Sequence, residues 1–274
     1  MRVRAPGSSA NLGPGFDVLG LAVTRHVWAT DEGDGPPCGP DHIARIAYEQ
    51  AGGTGSIWFD FELEPSRGLG FSAAARAAGA YLAYRQAGLV QVAAQEAAYR
   101  VVADIEGHGD NAAPAVFGGI HVIAGDRWHR LPVTIPARLL FWVPDLETLT
   151  DDSRACLPAQ VDRSDAVFNL GRIGLLVAAL YEQRLDLLGE ATQDRLHQPP
   201  RLAACEPSAR AYATMLDNGA SAAWLSGSGP TVAAVVTPDR VDAVSRALCP
   251  SGVVLDLPLD EVGVVDDEGG QPAG

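Results

Sequence analysis

Five stretches of this sequence combine residue types that are capable of chemistry. GLGFSAAA, residues 68 to 75, places two glycines ahead of a run of small helix formers. A strand entering Gly68-Leu69-Gly70 and a helix leaving through Ser72 would aim several unpaired N–H groups and the positive end of a helix at one point, which suits an anion. Read alone, the same turn equally fits a plain strand-to-helix connection, because short glycine patterns recur by chance. In SSANLGPGFD, residues 8 to 17, glycine and proline fix a tight backbone, while Asn11 and Asp17 offer an amide and a carboxylate, either to grip a polar small molecule or to cap a turn. Glu106, His108, Asp110 and Asn111 crowd the end of an expected helix; they suit a metal ligand with substrate contacts, or simply a polar helix end. Arg154 in TDDSRACLP and Arg201 in DRLHQPPR each have the planar fork that clamps a carboxylate or phosphate, although a lone arginine is usually a solvated surface group.

Positioning these groups requires a scaffold of mixed elements. Residues 2–5 and 18–29 read as strands, 31–40 as loop, 41–49 as a helix and 56–63 as a strand leading into the glycine turn. A helix capped by Ser72 and stopped at Gly88 comes next, then a second from Val92 to Ile105. The run AVFGGIHVIAG predicts a strand pair, and LLFWVP a buried strand ending at Pro144. Beyond it, helices are expected near 165–183, 207–217 and 239–248, with strands at AAWL, TVAAVV and 252–257. The last dozen residues, rich in glycine and acid, read as a disordered tail.

Composition narrows the partners. With 274 residues and 47% hydrophobic content, the chain suits one large domain or two small ones. No run of 18 apolar residues and no apolar segment near the start suggests a membrane or a secretory route, so a cytoplasmic location is expected. Cys38, Cys156, Cys205 and Cys249 are scattered without metal-ligand spacing and are expected to be ordinary buried thiols. A net charge of −14 argues against nucleic acid, whose phosphates demand a basic face. All 20 basic residues are arginine. The absence of lysine excludes the Walker P-loop, the protein-kinase site and Schiff-base chemistry, leaving backbone amides, helix ends and arginines to handle any phosphate.

Five stretches occur together in one order: SSANLGPGFDVLGLA, RGLGFSAAA, EGHGDNAAPAVFGG, TDDSRACLP with DRLHQPPR, and SGSGPTVAAV. On these the chain resembles the GHMP kinase superfamily, named for galactokinase, homoserine kinase, mevalonate kinase and phosphomevalonate kinase, and most closely its homoserine kinase members. The resemblance implies an α+β, two-lobed fold with a ribosomal protein S5 domain 2-like N-terminal lobe (1–145), a ferredoxin-like C-terminal lobe (146–260) and an acidic tail (261–274). It implies ATP-dependent phosphorylation of the side-chain hydroxyl of L-homoserine to O-phospho-L-homoserine in the cleft, a step of threonine biosynthesis, with Mg²⁺ as cofactor and a possible homodimer. By matched position, Arg67, Gly68, Leu69, Gly70, Phe71, Ser72 and Ala73 would surround the triphosphate, and Glu106 with Ser72 would hold Mg²⁺. Asn11, Asp17 and Asn111 would grip amino and hydroxyl groups, Thr150, Arg154 and Arg201 the carboxylate, and Asn111 would orient the attacking hydroxyl.

The chain departs from that pattern in four places. Phe71 stands where the pattern has a serine hydroxyl, and only Ser66 and Arg67 separate Pro65 from the glycine turn, with Arg67 available as compensating charge. Gly109 replaces a proline, and the segment before the turn, which contributes to the nucleoside pocket, is short. These changes leave two other outcomes open: a kinase for a different small alcohol such as threonine, or a non-catalytic amino-acid-binding pseudokinase.

Overall fold

The computed structural model describes residues 1–146, 150–248 and 252–267, with the backbone alone for 150–152. Strands β1 (Arg2–Asn11) and β2 (Gly15–Thr30) form a long antiparallel hairpin in which Arg2 faces Thr30 and Ala10 faces Gly20. The second edge of β2 is shared: β3 (Trp58–Phe61) pairs with Val27–Thr30, and β4 (Ile120–Ala124) with Leu19–Leu21. β5 (Arg127–Leu131) continues from β4. Helices α1 (Ile43–Gln50), α2 (Phe71–Gln86), α3 (Gln91–Glu106) and α4 (Ala112–Phe117) complete this lobe. α2 is buried nearly all round, as its alanine-rich sequence requires, against β1, β2, α1 and α3. Its small residues let neighbouring backbone come close: a Cβ on Gly79 would lie 2.0 Å from the Ala44 carbonyl oxygen of α1.

The second sheet runs β7 (Ala222–Leu225), β8 (Val232–Val236), β6 (Arg138–Val143), β9 (Val253–Asp256), all antiparallel. Around it lie α5 (Thr150–Ala155), α6 (Arg163–Tyr181), α7 (Leu185–Ala191), α8 (Gln198–Ala204), α9 (Glu206–Asp217) and α10 (Val241–Leu248). Alternation along the strands splits its side chains. Leu139, Phe141, Trp224 and Val235 join the core of the first lobe, whereas Leu140, Trp142, Ala223 and Val232 pack with Met215 of α9 and Val244 and Leu248 of α10. One continuous core therefore spans both lobes and fixes the cleft between them.

Four expectations change. AVF belongs to α4, whose alanines pack inward and which stops at Gly118 with φ 65°; only β4 and β5 beyond it form the expected strand pair. A division after residue 145 would assign β6 to the first lobe, but its hydrogen bonds run to β8 and β9. The expected tail is ordered as far as it is described, because β10 (Val265–Asp266) pairs with β1 and Arg85 of α2 binds the Asp266 carboxylate; residues 268–274 lie outside the described residues. Cys156 is exposed and Cys38 and Cys205 are half-buried, so none is a core thiol; Cys249 lies outside the described residues.

His121 on β4 is fully buried, and neither ring nitrogen has a hydrogen-bond partner among the described residues. Burial, with Arg130 and His129 nearby, pushes its pKa down to about 3. The folded chain therefore keeps His121 neutral where the unfolded chain, titrating near 6.5, takes up a proton. Stability should fall as pH drops from about 6.5 towards 3, by up to about 1.4 kcal/mol per pH unit from this group. Denaturation of wild type and His121→Leu between pH 7 and 5 should show a flatter pH dependence in the variant; parallel curves would remove His121 as a cause.

Candidate active site

Gly70 caps α2 in the left-handed conformation (φ 68°) without a side-chain hydrogen bond, so the first N–H groups of the helix are left for a ligand. A Cβ there would lie 2.0 Å from Ser8 Oγ, which makes glycine obligatory. The turn is pinned from behind: Ser8 N donates to the Leu69 carbonyl at 3.0 Å, and Ser226 Oγ donates to the Gly68 carbonyl at 2.6 Å. Phe71 is the first helical residue, and its ring meets Phe59 and Phe61 of β3 edge-on, with centroids 6.0 and 5.6 Å away. Phe71 thus joins an aromatic wall instead of filling the space in front of the amides. Phe71→Ser should cost about 1–3 kcal/mol in denaturation, less than a fully buried phenylalanine, while turnover stays within about tenfold. A large gain in turnover would instead mark the ring as an obstruction.

Ser72 lies inside the first turn and is not the N-cap. Its hydroxyl donates to Glu106 Oε1 at 2.7 Å, at the end of α3. Both residues line the cleft. A hydroxyl and a carboxylate beside a phosphate-sized opening match the oxygen preference of Mg²⁺, which takes one or two protein oxygens and fills the rest with water and phosphate; the donors present fit the metal that the resemblance implies. Arg76, one turn along α2, donates to both Ser72 Oγ and Glu106 Oε1.

At the far end of the same cleft Asp17 and Arg154 form a bidentate pair, with Nη2 to Oδ1 at 2.8 Å and Nη1 to Oδ2 at 3.1 Å. Asp17 takes a left-handed backbone (φ 58°), and Asn11 Oδ1 accepts its N–H at 3.1 Å, so Asn11 fixes an unfavourable turn that presents the carboxylate. Asn11 Nδ2 also donates to the Gly227 carbonyl. Arg201 is buried: Nε donates to the Ser153 carbonyl, and Nη1 to the Gly227 carbonyl and His197 Nδ1. Burial lowers the pKa of His197, and a neutral ring with its proton on Nε2, facing the Gly13 carbonyl at 2.7 Å, accepts from Arg201. Arg201 Nη2 is left without a protein partner among the described residues. The Phe16 ring lies under both guanidiniums, 5.5 Å from Arg154 and 5.2 Å from Arg201, and stacks on His197. Two like charges over one ring favour an anion between them.

Asn111 joins the two ends. Its Oδ1 accepts from Ser8 Oγ at 2.9 Å, and its N–H meets Asp110 Oδ1. Asp110 also binds His108 Nδ1 at 2.6 Å and thereby raises the pKa of His108. Asp17, His108 and Asp110 bring ligand atoms within 4.8 Å of one another, but Asp17 is already paired with Arg154 and Asp110 with His108, so the trio reads as a charge-paired network.

Of the expected site residues, Asn11, Asp17, Arg67, Gly68, Gly70, Phe71, Ser72, Ala73, Glu106, Asn111, Arg154 and Arg201 all line one cleft of about 300 Å³. Leu69 does not; its side chain is in the core and only its backbone serves the turn. Arg67 faces the cleft but is held by Glu64 at 3.2 Å and Asp145 at 3.4 Å. Thr150 opens α5, and its side chain lies outside the described residues. Phe16, His197, Ser8 and Arg76 were missed. Phe16 sits inside the quoted SSANLGPGFD and His197 inside DRLHQPPR, where their neighbours already pointed to the site.

Residues 41–119 match the GHMP kinases N-terminal domain, and residues 176–253 the GHMP kinases C-terminal domain. A homoserine kinase of Desulfitobacterium hafniense is 36% identical over 92% of this chain and 92% of its own length. One from Mycobacterium tuberculosis is 38% identical over 93% and 90%. This chain belongs to the homoserine kinase family of GHMP kinases. The crystal structure of homoserine kinase from Cytophaga hutchinsonii superposes with a TM-score of 0.83 at 26% identity, covering 97% of this chain and 96% of that one. A mevalonate kinase at 12% identity and a TM-score of 0.72 shares the fold.

Proposed function

We propose that this GHMP kinase transfers the terminal phosphoryl group of ATP to the side-chain hydroxyl of L-homoserine, giving O-phospho-L-homoserine, in the cytoplasm. The observation that carries the reading is the Asp17–Arg154 pair standing, with Arg201, at one end of the cleft whose other end is the open N-terminus of α2. A zwitterionic amino acid supplies both partners that this pair requires: its ammonium goes to Asp17 and its carboxylate to Arg154 and Arg201. One internal ion pair is exchanged for two intermolecular ones, each worth about 1.5–3 kcal/mol as a charge-assisted hydrogen bond.

The side chain of the bound amino acid then points towards Asn111, which orients the hydroxyl. The amides of residues 70–73 receive the phosphates at the helix terminus. Ser72 and Glu106 would hold Mg²⁺, which would supply positive charge to offset that of the phosphates. No strong base is needed, because phosphoryl transfer through a loose transition state depends chiefly on alignment and charge stabilisation.

Purified protein with Mg-ATP and an acceptor panel of homoserine, threonine and serine tests the proposal. Formation of O-phosphohomoserine at the highest kcat/KM is expected. Preference for threonine would replace the acceptor, and tight homoserine binding by calorimetry with no ATP binding and no product would indicate a pseudokinase.

A further inference from the structure

Arg76 is the one charged residue between Phe71 and Tyr84 in a helix otherwise built of small and apolar side chains. Its side chain is 20% exposed and that of its partner Glu106 is 11% exposed, so the ion pair is largely out of water. The guanidinium sits on Ser72 Oγ and Glu106 Oε1, the same oxygens that a divalent cation would use. Arg76 follows Ser72 by four positions, which places both on one face of α2 about 6 Å apart along the axis.

We propose that Arg76 is the resident counter-cation of the metal site: it keeps free divalent cations off Glu106 and yields the carboxylate only when nucleotide phosphates offer the guanidinium a second anionic partner. The inference rests on reading Ser72 and Glu106 as the metal-holding pair. A divalent ion arriving alone meets a carboxylate oxygen already neutralised by a positive group. To bind, it must push the guanidinium into half-buried space with no counter-charge, and an uncompensated charge there is strongly unfavourable. Burial already works against the charged form of Arg76. Phosphates seated at the N-terminus of α2 remove the obstacle, because an extended arginine one turn away reaches either anion. The other arginine beside the glycine turn, Arg67, pairs with Glu64 and Asp145 and keeps a buried Nη1 without a hydrogen-bond partner among the described residues; of the two, it is Arg76 that sits on Ser72 and Glu106. Metal and nucleotide then bind cooperatively, and linkage makes the coupling reciprocal.

The test is Mn²⁺ binding, read by electron paramagnetic resonance on the full chain without nucleotide, and binding of a non-hydrolysable ATP analogue without metal. Arg76→Met should bind Mn²⁺ at least about tenfold more tightly than wild type, Arg76→Lys should stay near wild type, and R76M/E106Q should lose the gain. The metal-free analogue should bind Arg76→Met several-fold more weakly. Mn²⁺ binding by Arg76→Met no tighter than wild type overturns the proposal. If Arg76→Met does not fold, wild type and Glu106→Gln decide: equally weak Mn²⁺ binding is expected, and a wild-type Mn²⁺ site that Glu106→Gln abolishes overturns it. None of these readings depends on which alcohol is phosphorylated, so failure of the homoserine assignment would be seen separately.

Discussion

Replacing Glu106 with glutamine is expected to lower kcat about 10²–10³-fold, the usual cost of removing one group that stabilises developing charge, while the dissociation constant for homoserine stays within about twofold of wild type. The separation follows from placement. Glu106 touches Ser72 and Arg76 at the end of the cleft proposed for the phosphates and, among the described residues, makes no hydrogen bond or ion pair with Asp17, Arg154 or Arg201 at the end proposed for the amino acid. The substitution also strips the half-buried Arg76 of its counter-charge, so the melting temperature must be recorded beside the kinetics, and a stability loss is expected. Calorimetry with homoserine and steady-state kinetics with saturating ATP measure the two terms. Weakened homoserine binding with unchanged kcat would move Glu106 from the phosphoryl-transfer end to the acceptor end.

The sequence made legible those parts of the site that depend on local order. A glycine turn before a helix, a polar cluster after the next helix and paired glycines near the start each carry their geometry within ten residues or so, and all proved to line one cleft. Gly88, expected to stop α2, sits just beyond its end in the left-handed conformation with φ 87°. What escaped depends on distance or on competition between partners. Arg154 and Asp17 are 137 residues apart, and nothing in either neighbourhood says that they bind each other. Ser72 has the composition of an N-cap, but Gly70, packed closely on Ser8, caps the helix two residues earlier, and the Ser72 hydroxyl turns to Glu106. The apolar run that begins with AVF predicts a strand, but packing of the α4 alanines against α3 favours a helix there. Arg76 is the one charge in the otherwise small and apolar stretch from Phe71 to Tyr84, and its i+4 spacing from Ser72 is the clue to its place at the site.

Asp17→Asn and Arg154→Met are each expected to raise the KM for homoserine about 10–100-fold, by removing one charge-assisted contact to the zwitterion. Neither should unfold the chain. The pair is partly solvated, with side chains 33% and 39% exposed, and such pairs contribute only about 0–1 kcal/mol to stability. A stronger consequence concerns which ligands can open the pair. An alcohol with a carboxylate but no ammonium satisfies Arg154 and Arg201 yet leaves Asp17 stripped of its partner. An amino alcohol without a carboxylate leaves the arginines crowded over Phe16. The wild-type chain should therefore reject both half-substrates. Asp17→Asn has no carboxylate left to strand, so its discrimination between homoserine and the deaminated analogue 4-hydroxybutyrate should shrink by about 10-fold or more, even as its activity on homoserine falls. Measuring kcat/KM for homoserine, 4-hydroxybutyrate and 3-aminopropanol on wild type and Asp17→Asn gives the ratio directly. If Asp17→Asn lowers all three in equal proportion, Asp17 acts only by shaping the turn, and recognition of the ammonium must be sought elsewhere in the cleft.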